Sequence, residues 1–341
     1  MLVVCILLCT IFTACTTTPE PEKYSANSFD YFDTVSVITG YAESEEAFDE
    51  IADFVFAELE QYHKLYSIYH RFEGMENLCT INELVDGEHR TVKVDSRIID
   101  LLLYAKDMYA ETHGMLNIAM GSVLSLWHDY RTLGMDNPAE AQLPPTEKLK
   151  EAAKHTDINK VVIDTENSTV TLTDPQMKLD VGAIAKGYAT EQIALSLESK
   201  GYSGLVLNFG GNVRTIGTKP DGTPWTVGIE NSTGDDYLEY LNLVDASVVT
   251  SGSYQRYYTV GDKQYHHIIH PDTLMPAEGY VSVSVVCKDS GLGDTLSTAL
   301  FCMTQQEGYD LVESFADVEA MWIDPAGNKM VSTGWNNYVK K

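Results

Sequence analysis

The residues best placed to do chemistry fall in a few short stretches. One is Leu179–Thr190, LDVGAIAKGYAT. Its spacing predicts a strand end over 178–181 that turns through Gly182 into a helix. Apolar positions follow at Ile184, Tyr188, Ile193, Ala194 and Leu197, with a stop at Gly201. Asp180 closes the predicted strand, and Lys186 falls in the first helical turn, where the backbone already carries partial positive charge. A bound anion, phosphate above all, would balance that lysine and use the free N–H groups of the helix start. An ordinary strand-to-helix turn with an exposed lysine would carry the same letters. A second stretch is Asn208-Phe209-Gly210-Gly211-Asn212, directly after a predicted strand. Paired glycines permit positive φ and close backbone approach to a ligand, or simply a tight turn. It is not the GxGxxG fingerprint of a dinucleotide fold.

A third stretch joins Thr250–Tyr254 to Tyr265–Pro271, where His266, His267 and His270 crowd together. On a strand, His266, Ile268 and His270 would face one way and His267 and Ile269 the other. A zinc site from His266 and His270 is conceivable, but no third ligand in the sequence supports it. A general base, a ring-stacking partner and a hydrogen-bonded structural histidine are the other readings. The fourth stretch, Gly293–Ala299, places Asp294 and Thr298 four residues apart on one face of a predicted helix start. A carboxylate and a hydroxyl so spaced are hard oxygen donors suited to magnesium, which completes its shell with phosphate oxygens and water. A simple aspartate cap would look alike.

These stretches must be positioned by an α+β framework. Phe29–Tyr41 reads as a first strand pair. Ser44 caps a helix whose buried face is Phe48, Ile51, Ala52, Val55, Leu59, Tyr62 and Tyr66. A second helix is predicted from Ser96 to Gly114, through Ile99, Leu102, Leu103 and Tyr109. The proline-bearing tract 136–146 reads as a surface excursion before a short helix, Glu147–His155. From Val161 the pattern turns to strands, starting with a VVID/TVTLT hairpin and running on after the central helix to Cys287. Helices over 294–303 and 306–315 and a closing VEAMWID strand complete it. Strand runs separated from helical blocks favour a mostly antiparallel sheet with flanking helices over a doubly wound one.

The first fifteen residues, MLVVCILLCTIFTAC, are almost wholly apolar and give way to TTTPEPEK. That run is too short to span a bilayer and reads as the hydrophobic part of a secretory signal over 1–14. Phe12-Thr13-Ala14-Cys15 is similar to a lipobox, which makes Cys15 a lipidation site and 15–28 a tether. A membrane contact through a lipid anchor alone, on the extracytoplasmic face, is the expectation. The formal charge of −27 argues against nucleic acid as a partner, so any anionic ligand must be held by local devices. Beyond the signal, Cys79, Cys287 and Cys302 have no CxxC spacing, so at most one bridge could form among them, and three buried thiols are the plainer reading.

Taken together, DVGAIAKGYA, LNFGGN, TSGSY with HHIIHP, and GDTLSTA, in that order, resemble the ApbE family of FAD:protein FMN transferases. The likeness runs from about Phe32 to Thr298, with looser matches over 66–82 and 112–127. The family usually has aspartate where Ser253 and His270 stand and glycine where Leu274 stands. The resemblance implies a two-lobed flavin transferase domain over 29–341. It implies a magnesium site from the Asp294 carboxylate, the Thr298 hydroxyl and the Ala183 carbonyl. It implies FAD contacts at Asp180, Lys186 and Ile268, and also at Phe32, Tyr69, Ala119, Met120 and Gly121. His267 corresponds to the family's histidine beside the reacting diphosphate. The implied reaction moves FMN from FAD, the substrate, to a threonine hydroxyl of an acceptor protein in an extracytoplasmic electron-transfer system, releasing AMP. An FAD pyrophosphatase and a flavin-storing lipoprotein are the competing expectations.

Overall fold

Burial alternates along most strands, and this sorts the chain into one large sheet with helices on one face and a hairpin on the other. The computed structural model describes residues 20–83, 91–232 and 236–341. The expected signal segment and Cys15 lie outside the described residues. β1 (Glu22–Ser28) and β2 (Ser36–Ala42) pair antiparallel around a turn in which Phe32 and Asp33 both have positive φ, 53° and 52°. The predicted pair is therefore displaced. Its first strand lies inside the tract expected to be tether, and 29–35 is the connection. The inward face of β1, Tyr24, Ala26 and Ser28, is only half-buried and carries small residues beside Tyr24, which stacks on Phe48 at 5.6 Å, so the alternation is faint in the letters.

α1 (Glu45–Tyr66) starts at Ser44, whose Oγ accepts the Ala47 N–H at 3.2 Å, and buries the predicted face. α2 (Leu78–Asn82), β3 (Thr91–Lys93) and α3 (Ser96–Glu111) follow, the last capped by Asp95. Next come α4 (Gly121–Asp136), a helix the sequence reading did not identify, and α5 (Thr146–Ala152). β4 (Val161–Asp164) and β5 (Thr169–Leu172) form the predicted hairpin and join β3 in a three-stranded sheet. α6 (Ala185–Ser199) is the central helix. β6 (Leu205–Phe209) and β7 (Asn212–Ile216) turn through Gly210 and Gly211, φ 61° and 90°. β8 (Trp225–Glu230), β9 (Tyr237–Leu243), β10 (Ser247–Gly252), β11 (Tyr257–Val260), β12 (Lys263–His266) and β13 (Ser282–Cys287) continue the strand run. α7 (Ser290–Cys302), α8 (Gln305–Glu313), β14 (Glu319–Ile323) and β15 (Lys329–Val331) close the chain.

The main sheet has eight strands in the order β1-β2-β6-β7-β10-β13-β14-β15, every neighbour antiparallel. The α+β expectation holds. Period-2 geometry explains the layers. Val283, Val285 and Cys287 of β13 point to the core under α7 and α8, while Val286 points to the opposite core with Leu241, Leu243 and Trp335. A separate cluster of Met120, Val123, Trp127, Tyr258 and Ile269 makes a second lobe from α4 and the β11–β12 hairpin. No helix among the described residues is long and apolar enough to cross a membrane.

Local readings fail in three places. Residues 178–181 form no strand. Lys178 makes only a bridge to Met120, and Asn82 binds the Leu179 backbone at both N–H (2.7 Å) and carbonyl (2.9 Å). β12 ends at His266, so strand alternation does not govern His267 to His270. α7 begins a turn earlier than predicted, with Asp289 as its cap, which puts Asp294 inside the helix.

Candidate active site

A cavity of about 470 Å³ separates the sheet body from the α4 lobe. On the body side its wall starts with the turn 182–184 and the first residues of α6. α6 and α7 cross so closely here that a Cβ on Gly187 would lie 2.3 Å from the Asp294 Cβ and 2.4 Å from the Ser290 carbonyl oxygen. Glycine at that position is what lets the Gly187 N–H reach Asp294 Oδ2 at 2.8 Å. Lys186 Nζ lies 3.6 Å from Asp294 Oδ1. The crossing is locked from below by Glu191 on α6. Its carboxylate takes the Ser290 N–H at 2.8 Å and pairs with buried Arg214 of β7 at 3.0 Å.

Asp294 is 4 % exposed, and burial pushes its carboxyl up, against the opposing pull of Lys186 and the Gly187 N–H. A buried carboxylate that wants more positive charge lies beside Thr298, whose Oγ1 is 3.2 Å from Ser251 Oγ. Ala183, Asp294 and Thr298 all line this wall. Their donor set is hard oxygen, so these residues fit magnesium better than a softer metal. Among the described residues no group of three or more His, Cys, Asp or Glu could hold a metal, which removes the zinc reading of His266 and His270.

The opposite wall carries His267. Its Nδ1 lies 3.2 Å from the Arg256 carbonyl, which can only accept, so the proton sits on Nδ1 and Nε2 is the free acceptor. Burial, then Arg256 and Arg131, push this imidazole down to about 3. Asp180 is bound by the Gly182 N–H at 2.9 Å and is pushed up by burial, with Gly182, His128 and Arg131 opposing. Tyr69 stacks near His128, ring centroids 5.2 Å apart, at the cavity edge. The site thus offers a cation and an oxygen-donor set on one wall and a neutral imidazole on the other.

The family model described as "ApbE family" matches residues 32–322. The chain belongs to the ApbE family. It is 28% identical over 267 residues to the FAD:protein FMN transferase of Klebsiella pneumoniae, covering 75% of this chain and 80% of that one. With the FAD:protein FMN transferase of Treponema pallidum it shares 32% identity over 259 residues, covering 71% of this chain and 70% of that one. Its fold is similar to the crystal structure of the ApbE protein of Thermotoga maritima, with TM-score 0.80 and 28% identity, covering 94% of this chain and 100% of that one. The flavin transferase ApbE of Vibrio cholerae shares the fold at TM-score 0.77 and 23% identity, covering 93% of this chain and 99% of that one.

Of the site residues the ApbE resemblance implied, Tyr69, Met120, Asp180, Ala183, Lys186, His267, Ile268, Asp294 and Thr298 line the cavity. Phe32, Ala119 and Gly121 are not part of its lining. Phe32 gives its N–H to His63 Nδ1 at 3.1 Å and packs edge-on to that ring, while its neighbours Asp33 and Thr34 reach the cavity. Ala119 is fully buried, and a Cβ on Gly121 would lie 2.5 Å from the Lys178 carbonyl oxygen. Both therefore serve the packing under α4. His266 lines the cavity beside His267 instead of facing away, and its Nε2 is tied to the Ala277 carbonyl at 2.8 Å. Among the described residues the three cysteines are free and buried, as read from their spacing. Leu274 takes φ 60° in the turn where the ApbE family usually has glycine, and its carbonyl accepts the Trp127 indole N–H at 2.9 Å. Sequence reasoning missed Arg131 and Arg256, which also line the cavity. The available signal was scarcity: six arginines stand in a chain with 50 acidic residues.

Proposed function

We propose that this chain is an FAD:protein FMN transferase that moves FMN from FAD to a threonine hydroxyl of an acceptor protein. One observation carries the reading: the Gly187-enabled approach of Lys186 to Asp294, with Thr298 and Ala183, lines one cavity together with His267. Lys186 binds phosphate oxygens of the FAD diphosphate as a point charge at the start of α6, where the N–H groups of Ile184 and Ala185 are taken by the Val181 carbonyl and that of Gly187 by Asp294. Asp294, Thr298 and the Ala183 carbonyl would hold magnesium, which supplies neutralising charge at that diphosphate when bound. The threonine oxygen forms its bond to the FMN phosphorus as the bond from that phosphorus to the AMP oxygen breaks. His267 Nε2 takes the hydroxyl proton, and AMP leaves with the electron pair of the broken bond.

Asp294→Asn keeps the shape and removes the charge. It should lower AMP release at least ~10²-fold while FAD still binds, because only stabilisation of the reacting diphosphate is lost. Full AMP release in excess EDTA would rule out the metal part of the proposal. The same reading takes the chain to be exported and anchored through a lipid on Cys15, from the lipobox-like Phe12–Cys15. Cys15→Ala should abolish palmitate labelling and shift the chain out of the membrane fraction. Unchanged labelling would refute it.

A further inference from the structure

The cavity holds a second cationic cluster that the proposed chemistry leaves without a task. Arg131, from α4, and Arg256, from the connection between β10 and β11, both line it. Among the described residues no carboxylate lies within ion-pair distance of either guanidinium. The Arg131 guanidinium hydrogen-bonds to His128 Nδ1 at 3.2 Å and interacts electrostatically with Asp180 and Tyr69. Arg256 contributes its backbone carbonyl to His267, and among the described residues its guanidinium has no hydrogen-bond or ion-pair partner. Lys186, by contrast, already has Asp294. Two like charges side by side repel, and burial together with Arg256 makes Arg131 easier to deprotonate than a free arginine. Asp180 offsets part of the Arg131 charge without pairing with it, and Arg256 is exposed to solvent, so both guanidinium forks stay open to a bound anion. Guanidinium forks suit phosphate oxygens in particular.

We infer that Arg131 and Arg256 form an oxyanion subsite beside His267 for the diphosphate of the flavin dinucleotide, and that the bound anion is what lets His267 accept a proton. This rests on the transfer reaction proposed above. The charged and titratable groups facing His267 are Arg256, Arg131 and His266, and those around Arg131 are His128, Asp180 and Tyr69. With the cavity empty, two positive charges and burial oppose an imidazolium. With a diphosphate between the arginines, its negative charge offsets theirs, and the threonine proton has a stable place on Nε2. Proton acceptance is thereby coupled to substrate occupancy.

The test is a histidine NMR titration of the full chain, with His267 assigned by difference against His267→Gln, and pyrophosphate without metal as the probe. In the free protein, the His267 midpoint should lie well below the ordinary imidazole value of about 6.5. Saturating pyrophosphate should raise it by at least ~10-fold in proton affinity. Arg131→Gln and Arg256→Gln should each weaken pyrophosphate binding roughly 10-fold or more, and each should raise the free-protein midpoint of His267. Arg256→Lys should recover part of the affinity, which a purely structural arginine would not require. Circular dichroism checks that each variant is folded, and exposed Arg256 is the safer substitution. Unchanged pyrophosphate affinity in both glutamine variants would overturn the subsite. A His267 midpoint that pyrophosphate does not move would overturn the coupling. Both readouts are equilibrium measurements without acceptor, so they stand apart from failure of FMN transfer itself.

Discussion

Replacing Gly187 by alanine tests whether the α6–α7 crossing sets the position of Asp294. The added Cβ would lie 2.3 Å from the Asp294 Cβ and 2.4 Å from the Ser290 carbonyl oxygen. Ordinary carbon contacts need about 3.5 Å, so the helices must part by roughly 1 Å. Ser290 is backbone held by Glu191, which is itself paired with Arg214, so the second helix cannot simply tilt away. Overpacking of this kind costs about 1–3 kcal/mol. Lengthening the 2.8 Å bond from the Gly187 N–H to Asp294 adds a loss of about 1.5–3 kcal/mol. Alanine returns about 1 kcal/mol through helix propensity. The net is a destabilisation of about 2–5 kcal/mol, a fall in melting temperature of about 3–7 °C for a chain of this length. Calorimetry measures this, and AMP release per folded molecule should fall ~10²-fold because Asp294 is displaced. A variant that melts within two degrees or so of the parent and turns over normally would refute the reasoning.

His267→Ala should lower FMN transfer ~10²–10⁴-fold with FAD affinity little changed, and wild-type turnover in that variant would move the base elsewhere. Because burial and the two arginines hold free His267 at about 3, the second-order rate constant for FAD should not lose this base as pH falls through 6.5. A midpoint at about 6.5 that disappears in His267→Ala would contradict the electrostatics. Away from the site, burial pushes Asp174 up, but Lys160, His155 and the Gln176 N–H outweigh it and hold it at about 2. A depressed carboxylate stabilises the fold above its unfolded value and loses that contribution as pH falls through the folded one. Asp174→Asn should therefore cost about 1–2 kcal/mol in urea unfolding at neutral pH, and the gap should close between about pH 4 and pH 2. A gap that persists at the acid end would show that packing, not charge, is lost.

The parts of the fold legible in the sequence are those where one periodicity dominates. α1 was readable because its capping Ser44 precedes an unbroken apolar stripe, and β4–β5 because two β-branched runs flank a short polar turn. α4 was not, since Met120 offers no side-chain cap and its residues divide between the lobe core and the cavity wall. The stretch before α6 read as a strand end, but its backbone is satisfied by the side chain of Asn82, distant in sequence, instead of by a neighbouring strand. Asp294 and Thr298 were found by helical spacing, which survives a shift of the helix start. Phe32, Ala119 and Gly121 came only from loose matches, and there proximity to the site in sequence did not mean contact with the cavity. Arg131 and Arg256 share no local pattern, because only the packing of α4 against the β11–β12 hairpin brings them together.

The account stands or falls on where the FMN goes. The chain, FAD, magnesium and a candidate acceptor protein are incubated together, and AMP and the intact mass of the acceptor are followed over time. The account predicts AMP and FMN-bearing acceptor in equal amounts, with the flavin attached at a threonine. AMP and free FMN with an acceptor of unchanged mass would contradict it and make the chain a pyrophosphatase.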